Sequence, residues 1–311
     1  MANLHQPRPE RCPPEQRRDA LLTLNEGLPP SLQSVLVSAL KQEQALGENA
    51  FRGLYYLDAK GSSPAAVWLQ ELPGRTGVLW PPSFAHPQAA ELLDKAKEHA
   101  RSEKLQLVQM LLAEGESVDE SLLKEKDFER LATLEYLWLD PAAPAEREDK
   151  AADDALADVV FLPNADRYPE RLEGILEKTY QDTQDCPALN GVRDLSEVIE
   201  GYKKQGMMMP EHWYLLSREG QDAGVLILAS HGSGEEANWE LVYMGIAPDY
   251  RGKGLSRLIV GHAIEEAAKA KVSRLVLAVD ATNEPALNVY RSLGFQSWQR
   301  RHVYACLHGK S

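Results

Sequence analysis

The sequence predicts a mixed α+β (α/β) chain made of two tandem domains, each a mixed, mostly antiparallel sheet flanked by helices. Three observations predict this. The C-terminal half alternates period-two apolar runs with amphipathic runs of helical period. The N-terminal half carries a fainter version of the same order. A chain of 311 residues has room for two units of roughly 150 residues each.

The elements follow in order. The opening MANLHQPRPERCPPEQRRD is Pro-rich and has no apolar h-region. Residues 1–18 are therefore expected to form a flexible arm with no secretory signal. In the first domain, 19–140, RGLYYLD and AAVWLQELP read as hairpin strands, and TGVLWPP as a strand stopped by prolines. PQAAELLDKAKEHA is a helix, KLQLVQMLLA a strand, DESLLKEKDF a short helix and LATLEYLWLD a closing strand. Residues 141–156 sit in a stretch rich in Ala, Pro and acidic residues that reads as a linker.

The second domain, 157–311, starts with the strand DVVFLP. PERLEGILEKTY is a helix with Leu172, Ile175 and Leu176 on one face, and LSEVIEGYKKQG is a second helix ended by glycine. HWYLLS and AGVLILAS flank the turn REGQD, and WELVYMGIA is the next strand. GLSRLIVGHAIEEAAKA is a helix, RLVLAVD a strand, EPALNVYRSLG a short helix and HVYACL the last strand. Sliding Lys104–Gln109 onto Val272–Leu277 brings the preceding helices into line, as a tandem duplication would.

The bulk numbers narrow the function classes. Hydrophobic residues make up 43% and charged residues 26%, as in ordinary globular domains. No apolar stretch approaches the roughly 18 residues of a membrane span. The formal net charge of −13 argues against nucleic-acid and membrane partners; it is compatible with a cationic substrate such as an amine, and equally expected of charge that serves solubility alone. Cys12, Cys186 and Cys306 are far apart and lack metal-ligand spacing, which fits a reducing, cytoplasmic setting and no metal.

One stretch points to chemistry. In VYMGIAPDYRGKGLSRLIV an apolar strand runs into a glycine-rich turn and then a helix. The turn is no P-loop, because Gly254 follows Lys253 where Ser or Thr is needed. It is no dinucleotide fingerprint either, since Arg257 stands where a third glycine belongs. Helix-initial amides have no internal partner and sit at the positive end of the helix dipole, so they favour phosphate. Arg251, Lys253 and Arg257 add charge around Gly252, Gly254, Leu255 and Ser256. Alone, the turn fits equally a plain strand-to-helix connection with solvated basic residues.

The turn together with NEPALNVYRSLGF resembles the GNAT superfamily of acyl-CoA-dependent N-acyltransferases. The second segment carries Asn283, Ala286, Tyr290, Gly294 and Phe295 at that superfamily's spacing. The likeness covers roughly 158–307, and the tandem layout is similar to two-domain members such as mycothiol synthase. The resemblance implies acetyl-CoA as cosubstrate, with no metal. Met244, Gly245 and Ile246 would pair with the pantetheine arm as with an added strand. Amides from Gly252 to Arg257 would hold the pyrophosphate. Asn283 would bond the pantetheine, and Tyr290 would face the thioester sulfur. Gly245 would be there to let the cofactor approach.

The implied reaction is transfer of an acetyl group to a primary amine of a small molecule or peptide. An alkylamine with a pKa of about 10.4 must lose a proton first, and a leaving thiolate with a pKa near 8.5 gains from a donor. Tyr290 is the candidate acid. Glu240 is the candidate base: strand alternation places Glu240, Val242, Met244 and Ile246 on one face. His231 and His262 are alternatives, His262 more as a core residue. The resemblance also implies that segment 185–202 lies on the acceptor side, which its Asp, Asn and Arg content would suit; the same content fits a helix N-cap with a solvated face. By the same slide, Glu116 and Leu123 stand where Asn283 and Tyr290 do, and PPSFAHP replaces the glycine turn, so the first domain is expected to be degenerate. Two other readings stay open, a non-catalytic acyl-CoA-binding module and an aminoacyl transferase. The acceptor and the oligomeric state are not written in the sequence.

Overall fold

The computed structural model describes residues 8–58, 63–143, 158–232 and 237–308. The chain divides into two compact units, Met1–Leu131 with Arg301–Ser311, and Ala132–Arg300.

In the first unit, β1 (Glu10–Arg11) is followed by α1 (Arg17–Gly27) and α2 (Pro30–Gln44). Then come β2 (Leu54–Leu57), β3 (Ala65–Leu72), β4 (Thr76–Trp80), α3 (Ala89–Ser102), β5 (Leu107–Ala113) and α4 (Glu120–Glu125). Strands β1 to β4 pair antiparallel in order, and β4 pairs parallel with β5. Parallel neighbours cannot be joined by a tight turn, so α3 makes the crossover.

Next in the chain is β6 (Glu129–Leu139), most of which lies in the second unit. That unit continues with β7 (Val159–Leu162), α5 (Pro169–Tyr180), α6 (Leu195–Lys204), β8 (Met207–Arg218), β9 (Gln221–His231) and β10 (Asn238–Ile246). It ends with α7 (Leu255–Lys269), β11 (Arg274–Asp280), α8 (Glu284–Ser292) and the start of β12 (Gln296–Leu307). Strands β7 to β10 are antiparallel in order, β10 and β11 are parallel, and α7 crosses over. Helix for helix and strand for strand, the two units repeat one order.

The sixth strand of each unit comes from the other half of the sequence. In the first unit β5 pairs with β12, from Leu107↔Leu307 to Ala113↔Arg301. In the second, β11 pairs with β6, from Leu275↔Leu139 to Asp280↔Leu134. The boundaries 19–140 and 157–311 are therefore crossed by two strands. Apolar faces explain the exchange: Tyr304 and Cys306 are buried in the first unit's core, Leu137 and Leu139 in the second's. The parallel ladders open on Thr76↔Leu107 and Asn238↔Arg274. That equivalence is one residue away from the alignment of Lys104 with Val272.

Two further points differ from expectation. Residues 10–16 are not a free arm: β1 pairs with β2, and buried Cys12 donates its amide to the Leu54 carbonyl (2.9 Å). Residues 1–7, and 144–156 of the linker, lie outside the described residues. Helices α1 and α2 were not anticipated. They bury Ala20 and Leu24, and Leu32, Leu36 and Ala39, at helical spacing, and Pro30 at the first position of α2 separates them.

Candidate active site

Strands β10 and β11 stay paired only over Asn238↔Arg274, Trp239↔Leu275 and Glu240↔Val276. At the same level β10 slips against β9, where Leu241↔Leu228 is followed by Tyr243↔Ile227. Val242 is the extra residue of a β-bulge, which bends a strand and re-aims its side chains. Past the bulge, a cavity of about 280 Å³ opens between Leu241–Ile246 and Ala278–Val279. Its other walls include Thr179 of α5, Asp185, Gly252, Ser256, Asn283 and Tyr290.

The bulge corrects the expected facing of β10. Glu240 does not share a face with Met244 and Ile246. Those two pack with Trp239 and Leu241 in the core beneath α7 and α8. Tyr243, opposite Ile227, falls on the face of Glu240, opposite Ala229. Glu240 lies outside the cavity lining. Its carboxylate accepts from Gln205 Nε2 (2.8 Å) and pairs with His231 Nε2 (2.6 Å). That bond raises the His231 pKa above its ordinary value, against the opposing effect of burial. His262 is half-buried and packed on aromatic rings: its ring stacks on Phe161 at 4.0 Å and meets Tyr214 edge-on.

Gly245 also serves a close approach inside the fold. A Cβ there would stand 2.5 Å from the Thr179 Cβ, so the glycine lets α5 approach the strand. Thr179 in turn hydrogen-bonds Tyr243 (2.9 Å), and Tyr243 lies against Tyr180 and Tyr202. The edge of Met244, Gly245 and Ile246 away from β9 borders the cavity.

The glycine turn is shaped by Gly252 (φ 72°) and Gly254 (φ 83°), both left-handed, a conformation that costs glycine little. Gly254 is the N-cap of α7, and no side chain caps that helix start. The basic residues of the turn are engaged locally. Arg251 donates to the carbonyls of Ile246 (3.0 Å), Thr179 (3.0 Å) and Gln181 (2.7 Å), clamping the end of α5. Lys253 donates to the Asp249 carbonyl (2.8 Å), and Arg257 to Ser292 Oγ (2.9 Å). Leu255 is buried, so only its backbone faces the turn. Ser256 lines the cavity.

Asn283 caps α8, its Oδ1 accepting from the Ala286 amide (3.3 Å). Two turns on, Tyr290 is 5% exposed, with its ring against Phe295. Burial, and secondarily the charge of Asp185, push its phenol pKa up. A phenol held protonated this way is suited to donate. The site thus brings together Met244, Gly245, Ile246, Arg251, Gly252, Ser256, Asn283 and Tyr290 on one cavity, and leaves Glu240 beside it. Sequence reasoning did not single out Thr179, Tyr180 or Tyr243, and reached Asp185 only as the first residue of segment 185–202. The aromatic and polar residues ending α5 were the available signal.

Among the described residues, the first unit puts other side chains in these places. Leu123 is fully buried, and Glu116 is spent on accepting from Ser31 N (2.8 Å), Ser31 Oγ (2.6 Å) and Ala113 N (3.0 Å). Prolines 81 and 82 follow β4 where the second unit has its glycine turn.

A parallel crossover, a splayed strand pair and an uncapped helix start define the class. Residues 176–295 match the acetyltransferase (GNAT) family model, and the second unit carries a domain of that family. The chain is 32% identical over 96 residues to the mycothiol acetyltransferase of Acidothermus cellulolyticus, covering 31% of this chain and 29% of that protein. It is 38% identical over 71 residues to the ribosomal protein bS18-alanine N-acetyltransferase of Escherichia coli K12, covering 22% and 48%. The matched stretch thus spans less than half of either relative. The fold is shared with a GCN5-related N-acetyltransferase from Sphaerobacter thermophilus, with a TM-score of 0.57 at 14% identity over 88% of this chain and 86% of that one.

Proposed function

We propose that the second unit is an N-acetyltransferase that moves an acetyl group from acetyl-CoA to a primary amine of a small molecule or peptide. The observation that carries this reading is the cavity between β10 and β11, lined by Gly252 and Ser256 of the glycine turn and by Tyr290. Acetyl-CoA supplies an activated thioester. The open edge of Met244–Ile246 offers strand-like hydrogen bonds to its amide-containing arm. The amides from Gly252 to Arg257, at the start of α7, are the pyrophosphate site. Asn283 stands where it can fix the arm, and Tyr290 protonates the departing sulfur. Both named relatives are acetyltransferases, one of them acting on an alanine of a protein.

The test measures coenzyme A release from acetyl-CoA with spermidine, benzylamine and an alanine-initiated pentapeptide as acceptors, alongside thermal unfolding with coenzyme A. Ligand at a hundredfold excess over its Kd should stabilise the protein by about 2.7 kcal/mol. Turnover of an amine is the expected result. Stabilisation without turnover would make the unit an acyl-CoA-binding module instead, and neither stabilisation nor turnover would overturn the reading altogether.

A further inference from the structure

The loop between α5 and α6 holds a carboxylate in the same cavity as Tyr290. Asp185 Oδ1 accepts from the Asp280 amide (2.8 Å), and the Cys186 amide donates to Asp280 Oδ2 (3.2 Å). These two bonds lock the loop to the end of β11. Asp280 is itself buried and fixed, its Oδ1 accepting from the Thr282 amide (2.9 Å) and hydroxyl (2.8 Å). The same loop carries two left-handed non-glycine residues, Asp182 (φ 51°) and Cys186 (φ 45°). Conformations of that kind persist where the surroundings over-determine them, and they collect at working sites.

Two carboxylates therefore compete for the role of proton acceptor. Glu240 lies off the cavity and both its oxygens are taken, by Gln205 and His231. Asp185 lines the cavity and is open to it. On this basis, and resting on the reading proposed above, we infer that Asp185, rather than Glu240, receives the acceptor's ammonium group and takes its proton. The nitrogen lone pair then forms the C–N bond to the thioester carbonyl as the C–S bond breaks, and Tyr290 gives its proton to sulfur. Of the two protons the ammonium loses, one leaves through Asp185 to solvent. The other replaces the proton Tyr290 gave up.

The surroundings suit this role. Burial of the carboxyl against the cavity walls raises Asp185 above the usual aspartate range; the hydrogen bond from the Asp280 amide opposes this, the weaker charge effect of Asp280 adds to it, and the net rise makes Asp185 a stronger base. The other titratable groups around it are Asp182, Cys186, Tyr180, Tyr243 and Tyr290, with Arg251 on the same cavity. Activity that depends on Asp185 is lost as pH falls through that raised value.

The experiment compares the full-length wild type with Asp185→Asn, Asp185→Glu and Glu240→Gln. It measures acetyl-CoA affinity by calorimetry and kcat against pH with the best of the three amine probes. Asp185→Asn keeps an acceptor for the Asp280 amide, so folding and acetyl-CoA affinity should hold within about twofold. Its kcat should fall at least about a hundredfold, with a rate that climbs with pH towards the amine's own pKa. Asp185→Glu should recover part of the loss, and Glu240→Gln should lose less than tenfold. A kcat for Asp185→Asn within threefold of wild type, with Glu240→Gln falling further, overturns the inference while sparing the acetyltransferase reading. A wild type that binds no acetyl-CoA, or binds it without turnover, overturns both.

Discussion

Gly245 and Thr179 meet so closely that any side chain on the strand would collide with the helix: an added Cβ falls 2.5 Å from Thr179 Cβ and 2.7 Å from its Oγ1. Neither neighbour is the far end of a flexible chain. Gly245→Ala must therefore push the end of α5 away from β10. Overpacking of this kind costs about 1–3 kcal/mol. Urea denaturation should show a loss in that range. Because Thr179 also lines the cavity, acetyl-CoA affinity should fall with it. An alanine variant as stable as wild type would mean that the helix end yields freely.

His231 and Glu240 give the second prediction. Glu240 raises the His231 pKa, so the folded state binds that proton more tightly than the unfolded one. The stabilisation is complete below the ordinary histidine value of about 6.5 and is lost as pH rises through the higher folded value. His231 is 41% exposed, which limits the effect to about 1 kcal/mol. Stability measured from pH 5 to pH 9 should decline over that window in the wild type. His231→Gln should flatten the decline, and an unchanged slope would assign it to other groups.

The strand-and-helix order was legible because apolar period marks each element, and the glycine turn with Asn283 and Tyr290 was legible because their spacing is local. What escaped was set by pairing between distant segments. The exchange of β6 and β12 depends on which core Leu137 and Tyr304 fill, and no local pattern encodes that choice. The bulge at Val242 adds one residue to one strand, which moves Glu240 and Met244 to opposite faces without any mark in the alternation. Likewise one reason for Gly245 lies 66 positions away, at Thr179. Asp185 sat inside a segment marked as polar, but only the lock to Asp280 distinguishes it from its neighbours.

The turn before α7 yields a third prediction. Gly254 holds a φ of 83°, which a β-branched residue adopts only with strain. Gly254→Val should therefore turn the first amides of α7 away and abolish acetyl-CoA binding. Ser256 lines the cavity through a small side chain, and its backbone N–H is kept by any substitution except proline. Ser256→Gly should bind acetyl-CoA within about threefold of wild type, allowing for a few tenths of a kcal/mol of backbone freedom. Calorimetry decides both cases. Full affinity in the Gly254→Val protein would reduce the turn to a mere connection.

Tyr290 separates binding from chemistry. It is buried at the cavity wall with its phenol pKa raised, first by burial and then by Asp185, so it stays protonated across the physiological range. Tyr290→Phe removes one oxygen and keeps the ring packed against Phe295. Stability and acetyl-CoA affinity should then change little. Losing a positioned acid should lower kcat by about a hundredfold or more. The deficit should shrink with acyl donors whose leaving thiol is more acidic, because such a thiolate needs no proton to depart. Single-turnover rates with acetyl-CoA and with an acetyl thioester of a lower-pKa thiol would show that convergence. An equal loss with both donors would assign Tyr290 to shaping the cavity rather than to proton donation.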